Sequence, residues 1–411
     1  MAAAAAGGDA LSGVPAASMP PPPIPLPRYG EASIADLVPS LLHAVGAADL
    51  PAPLAVEPAR AICLLVVDGL GWELLRDHAA EAPFLTAAGG IALTAGFPST
   101  TAASIGSLGT GRPPGEHGLV GYTMLLPGEA APMNNLSWAR YGLPGSWPGA
   151  PPDDGDLIHR AVPEQVQPEP TAFERAAAAG VTVTLVGPRQ HASSGMTRAV
   201  LRGGRYRSAF TLSDLVAVSA TSLAEPEPQL VYAYNPDLDL VGHIRGVDSD
   251  AWRLQLAEVD QAAAALAERL PAGCLLAVTG DHGMVDLAPS QRLDVGDLPE
   301  LMAGVRVLGG EARARHVYAE PGAAEDVLAT WRDVLGDRMW VVSGDEAIAA
   351  GWFGPTVPDR IRPRIGDVVA AAFAQVGVMQ RAVDPAHARM QGHHGSMTAR
   401  EQLVPLVTVR R

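Results

Sequence analysis

The chain has 411 residues, 48% of them hydrophobic, and a formal charge of −15, with no lysine among its 29 basic residues. The length suffices for one large α/β core with an inserted subdomain. The acidity argues against a nucleic-acid polymer as partner, and the missing lysine excludes a Walker-type P-loop and a lysine Schiff base.

Residues 1–29 are rich in Ala, Gly and Pro and read as a disordered tail. They carry neither the basic n-region nor the apolar h-region of a signal peptide. No apolar run approaches the ~18 residues of a membrane helix, so the expectation is a cytoplasmic protein. The catalytic core is expected over 30–284. Its first strand is AICLLVV, Ala61 to Val67, ended by Asp68-Gly69, and IALTAGF, Ile91 to Phe97, reads as the next. Thr171, three residues before Glu174, forms a capping box for a helix that stops at Gly180, before the strand VTVTLVG. QLVYAY and CLLAVTG are two more strands, and both cysteines, Cys63 and Cys274, fall in such apolar runs as core residues. Between those two strands Trp252, Leu256, Val259, Ala263, Leu266 and Leu270 mark one apolar helix face. Residues 127–168 read as a surface excursion and 285–382 as an inserted α/β cap. Residues 383–411 return to the core and supply a final strand, VPLVTV. Continuous apolar strands alternating with helices predict an α/β fold whose mainly parallel central sheet has helices on both faces.

Four clusters carry chemistry, each at the end of a predicted strand, where open parallel sheets bind ligands. Asp68 follows the first strand; alone, it reads as a turn former. In FPSTTAASIGSL, Thr101 stands where a helix would start, among free backbone N–H groups that favour an alkoxide and a bound phosphate; helix capping is the commoner role for such a hydroxyl. Asp239 and His243 are spaced to share one side of a helical turn, as a metal-ligand pair requires, with Asp237 a decoy beside them. Asp281-His282-Gly283 follows CLLAVTG, and His393-His394-Gly395 supplies further imidazole near the C-terminus.

In this order, ending on Gly-x-His-Gly at 392–395 and with Gly-Asp-His-Gly-Met at 280–284 as its sharpest part, the sequence resembles the nucleotide pyrophosphatase/phosphodiesterase (type I phosphodiesterase) family of the alkaline phosphatase superfamily. The resemblance implies an alkaline-phosphatase-like fold and two zinc sites, with manganese as a substitute. Asp239, His243 and His394 would form one site, and Asp68, Asp281 and His282 the other, with Thr101 touching its metal. It further implies a phosphothreonine intermediate and a small phosphodiester or nucleotide as substrate. Where the family places a phosphate-binding Asn, this chain has Tyr122, with Asn134 or Asn135 as substitutes from the following loop. Trp138 and Tyr141 are candidates for stacking on a flat group, and Arg189, Arg198 and Arg202 for meeting a distal phosphate; packing and solvation are the commoner roles.

Within the superfamily, the sulfatase motif is missing. Ala102 stands where alkaline phosphatase has an arginine that clamps a monoester dianion, and related phosphomutases use Ser as nucleophile. A diester or pyrophosphate is therefore favoured over a monoester. Phosphonate hydrolysis, phosphomonoester hydrolysis and a non-catalytic metal-binding role are the alternatives.

Overall fold

The computed structural model describes residues 21–47, 49–142, 157–225 and 227–411. Along the chain run strands β1 (Ala61–Val67), β2 (Ile91–Thr94), β3 (Thr182–Pro188), β4 (Arg205–Ala209), β5 (Gln229–Asn235) and β6 (Cys274–Gly280). Among the strands that follow β6 are β7 (Val305–Glu311), β8 (Ala314–Ala319), β9 (Met339–Ser343) and β10 (Val368–Ala372). The chain then returns as β11 (Leu403–Arg410). The central sheet has the order β2-β11-β6-β1-β5-β3-β4. Its pairings are parallel except around β11, which runs antiparallel to both β2 and β6. Strands β7 to β10 make a second, antiparallel sheet in the order β7-β8-β10-β9.

The apolar runs of β1 and β6 are buried at all seven positions, because successive side chains feed opposite faces and both faces are covered. Ile62, Leu64 and Val66 join one core with α1 (Ile34–Ala44) and α2 (Thr101–Thr110). Ala61, Cys63, Leu65 and Val67 join the other. Of the remaining labelled helices, α3 is Asp237–Arg245, α4 is Asp250–Glu268 and α5, beside the second sheet, is Ala324–Leu335. Helix α4 is capped by Ser249, whose hydroxyl accepts from the Trp252 N–H, and it buries Trp252, Leu256, Val259, Ala263 and Leu266. Each such large apolar side chain contributes roughly 1.5–3 kcal/mol of transfer free energy. The Thr171–Glu174 capping box is present, and both cysteines are buried free thiols. Among the described residues no helix is long and apolar enough to cross a membrane.

Two expectations need correction. Residues 21–29 do not behave as tail: the Trp340 indole donates to the Pro22 carbonyl at 2.8 Å. The Tyr29 hydroxyl accepts from the Phe97 N–H at 2.9 Å and donates to the Trp352 carbonyl at 3.1 Å. Buried donors need acceptors, and this segment supplies them; residues 1–20 lie outside the described residues. The strand beginning at Ile91 ends at Thr94, three residues short of Phe97, although the Ala95 N–H still donates in register to the Gln402 carbonyl.

His117 is a core residue. Its Nδ1 accepts from the Leu119 N–H at 3.2 Å while Nε2 lies 3.2 Å from the Ala103 carbonyl. Burial lowers its pKa to about 3, so its contribution to stability is complete above the unfolded value near 6.5 and is lost as pH falls through that window toward 3. Between pH 7 and pH 5 this one group is expected to remove about 2 kcal/mol. Urea unfolding of wild type and His117→Asn at both pH values tests this; equal pH-dependent losses in the two proteins would refute it.

Candidate active site

Register assembles the centre. Val67, the last residue of β1, pairs with Asn235 of β5 and with Gly280 of β6. Three strands therefore end at one level, and Asp68, α3 and Asp281 leave the sheet side by side. Helix α3 then presents Asp239 and His243 one turn apart, with Asp239 Oδ2 3.2 Å from His243 Nε2. A bridge between Ser99 and Gly395 lays the return segment across the loop before α2, which brings His394 beside Thr101's neighbours. The His282 and His394 rings stack at 3.7 Å, 15° from parallel.

Thr101 is the first residue of α2 and Thr100 is its N-cap. The Thr101 hydroxyl caps nothing; its Oγ1 lies 3.2 Å from His282 Nε2. His282 Nε2 is also 3.4 Å from Asp68 Oδ1 and 3.5 Å from Asp281 Oδ2. His394 Nε2 lies 3.9 Å from Asp239 Oδ1. All three imidazoles turn Nδ1 toward a backbone carbonyl: His243 to Gly392 at 2.8 Å, His282 to Gly283 at 3.0 Å and His394 to Ser99 at 3.0 Å. That fixes the proton on Nδ1 and leaves each Nε2 lone pair facing the cluster.

The electrostatics point to missing positive charge. Burial, then the charges of Asp281 and Asp239, push the Asp68 carboxyl well above its ordinary range. Burial likewise raises Asp281. Burial opposes ionisation of Asp239 too, but His243 overrides it and holds that carboxyl below the usual range. Asp68 Oδ1, Asp239 Oδ1 and Asp281 Oδ2 are buried without a hydrogen-bond partner, an arrangement costly unless a cation compensates it. Asp68, Asp281 and His282 offer ligand atoms within 4.8 Å of one another, and so do Asp239, His282 and His394. The donor set, carboxylate with imidazole and no thiolate, fits divalent cations of the zinc or manganese kind.

Other expected residues fall differently. Asp237 accepts from the Asn235 side chain at 2.9 Å. Tyr122 stacks on His387 at 5.9 Å, and its hydroxyl accepts from Asn134 at 2.8 Å. Asn134 also caps its own turn, accepting from the Leu136 N–H at 2.9 Å. Asn135 donates to the Gly121 carbonyl at 2.6 Å and leaves a buried Oδ1 without a hydrogen-bond partner. Trp138 is packing: its indole donates to the Ala161 carbonyl at 2.7 Å, and its ring fills the space beside Gly195. Tyr141 is buried edge-on to Tyr122. Arg198 forks onto Glu164 at 2.9 and 2.8 Å, and Arg202 pairs with Glu174 at 3.2 Å. Arg189 lines a cavity of about 240 Å³ at the carboxyl ends of β3, β4 and β5, together with Tyr234 and Phe210; Phe210 is 75% exposed.

Two residues of the centre carried no motif. Tyr234 donates a short hydrogen bond to Asp68 Oδ2; its place near the end of β5 was the available signal. Glu311, from the second sheet, reaches within 3.7 Å of His394 Nδ1, and burial pushes its carboxyl up to about 8.

A family model described as type I phosphodiesterase / nucleotide pyrophosphatase matches residues 62–397. Among solved structures, murine ectonucleotide pyrophosphatase/phosphodiesterase 5, in an inactive form with AMP, superposes with a TM-score of 0.62 at 16% identity, over 84% of this chain and 87% of that one. Phosphonoacetate hydrolase from Sinorhizobium meliloti 1021, bound to phosphonoformate, gives 0.62 at 18% identity over 86% and 90%. The phosphopentomutase of Anaeromyxobacter dehalogenans (strain 2CP-C) is 31% identical over 159 residues, which is 38% of each chain.

Proposed function

The chain belongs to the type I phosphodiesterase / nucleotide pyrophosphatase family of the alkaline phosphatase superfamily, and from that premise we propose that it hydrolyses a small phosphodiester or pyrophosphate through a phosphothreonine intermediate on Thr101. The observation that carries this reading is the placement of the Thr101 hydroxyl, at the first residue of a helix and 3.2 Å from His282, against two groups of ligand atoms with unsatisfied buried oxygens. Asp239, His243 and His394 would hold one divalent cation, and Asp68, Asp281 and His282 the other, next to Thr101. Zinc, or manganese in its place, would supply Lewis-acid charge that lowers the proton affinity of the nucleophile and offsets charge on the phosphoryl group.

The chain's own part is orientation and desolvation. The first-turn N–H groups of α2 face the position a phosphoryl group takes when Thr101 attacks it. Attack forms the Thr101 oxygen–phosphorus bond and expels the leaving oxygen on the opposite side; water then attacks the phosphothreonine and restores the hydroxyl. Tyr234 and the Gly69 N–H, which donates to Asp281 at 3.1 Å, hold the two carboxylates in place. Tyr122 and Asn135 are the candidates for a non-bridging phosphate oxygen. The cavity beside Tyr234 takes the organic group of the ester, with Phe210 and Arg189 at hand.

Ala102 follows Thr101 and is buried, so the residue after the proposed nucleophile offers no guanidinium to bind a dianion. Turnover of bis-p-nitrophenyl phosphate is therefore expected to exceed that of p-nitrophenyl phosphate when the protein is purified with zinc. Preference for the monoester would make phosphatase the better reading. Inactivity on both with release of phosphate from a phosphonate would establish the second reading, supported by the fold shared with phosphonoacetate hydrolase.

A further inference from the structure

Glu311 ends β7, and its carboxylate is carried into the centre from the second sheet rather than from the sheet that holds the ligands. The residue is 3% exposed. Its Oε2 lies 3.7 Å from His394 Nδ1, and its Oε1 is buried with no hydrogen-bond partner. The Thr100 hydroxyl, one residue before Thr101, lies beside the same carboxylate. The fit is built into the backbone: a Cβ at Gly395 would fall 2.7 Å from Glu311 Cγ and Cδ, so the residue after His394 has no side chain. Glu311 thus packs on the crossing where Ser99 bridges Gly395, touching the imidazole from one strand of that crossing and the nucleophile's cap from the other. Burying a carboxylate costs several kcal/mol, and a space-filling role would be met at lower cost by an apolar side chain.

We propose that Glu311 is a positioning residue for His394: together with the Ser99 carbonyl it faces the Nδ1–H, fixing the ring so that Nε2 points toward Asp239, and it strengthens that nitrogen as a donor to a cation. Carboxylates behind metal-bound imidazoles act in this way. The inference rests on the reading of Asp239, His243 and His394 as a cation site, but not on any particular substrate.

The test is zinc binding to the metal-free protein by titration calorimetry with chelator competition, for wild type and Glu311→Gln, which keeps the shape and removes the ionisable carboxyl. Wild type is expected to take up two ions. In the variant one of the two affinities is expected to fall about 10- to 100-fold, with the other unchanged and with metal-free thermal unfolding matching wild type. Two wild-type affinities in Glu311→Gln would overturn the proposal while leaving the site assignment standing. Uptake of fewer than two ions by wild type would overturn both. Should Glu311→Gln fail to fold, Glu311→Asp is measured instead: the withdrawn carboxylate is expected to weaken the same site by a smaller factor, and unchanged affinity would refute the role. Diesterase activity is not the readout, so failure of the substrate reading stays separate.

Discussion

Replacing Thr101 by alanine is expected to lower phosphodiester turnover at least about a thousandfold, on the order of 4 kcal/mol in barrier height, while zinc uptake stays at the wild-type level. The expectation follows from how the hydroxyl is held. Thr101 occupies the first position of α2, yet Thr100 takes the N-cap place, so the Thr101 side chain has no part in ending the helix. Its Oγ1 is turned instead toward His282, and the residue is 8% exposed in a buried cluster. Alanine removes the nucleophile and leaves three carboxylates and three imidazoles as they were. Retained turnover with bound zinc would mean that water attacks phosphorus directly, and the covalent intermediate would have to be abandoned. Lost turnover together with lost zinc would show that Thr101 acts as a ligand before anything else.

Substituting Arg313 by methionine is expected to cost about 3–5 kcal/mol of stability, the largest structural effect among these predictions. Arg313 and Glu401 are 1% and 0% exposed as side chains and pair at 2.6 Å. A second contact, Nε to Oε1, is 3.0 Å. Glu401 also accepts from the Ser396 N–H at 3.1 Å and the Thr398 hydroxyl at 2.5 Å, and its carbonyl accepts from the Gly283 N–H at 2.8 Å. One residue therefore ties these segments together: its carboxylate holds the second sheet and the segment after His394, and its backbone carbonyl holds the loop after His282. Methionine fills part of the arginine's volume but leaves that carboxylate buried without its partner, the costly arrangement for a charge. Urea unfolding measures the loss. A change below about 1 kcal/mol would show that the remaining donors suffice, and that the three segments are held by packing instead.

The elements that reveal themselves in sequence are those whose information is local. Asp68, Asp239 and Asp281 each follow an apolar strand, and the spacing of Asp239 and His243 already implies a shared helical turn; the structure places these residues together. His394 had no local signal beyond two adjacent histidines, and its assignment came from the family's order of motifs. Glu311 lies in VRVLGGEARARHVYA, where a strand with a charge reads as an edge; its burial beside His394 depends on how one sheet docks on another. Arg313 and Glu401, 88 positions apart, are invisible for the same reason. Trp138 suggested a stacking platform, yet the space beside Gly195 decides that it packs. The segment 21–29 has the composition of a linker, but three hydrogen bonds to Trp340, Phe97 and Trp352 anchor it, and composition alone cannot show which donors await an acceptor.

The place of β11 in the central sheet separates the order along the chain from the order in the sheet. Leu403 to Leu406 pair with β2, and Leu406 to Arg410 pair with β6, so this strand works as a splint spanning two pieces. One piece carries β6, β1 and β5, hence Asp281, Asp68 and the helix of Asp239. The other carries β2, which leads within a few residues to Thr101. Without residues 403–410, Thr101 and the carboxylates would belong to two unjoined pieces of the sheet. Closure of the sheet and assembly of the candidate site are then one event, brought about by a single strand that joins both pieces.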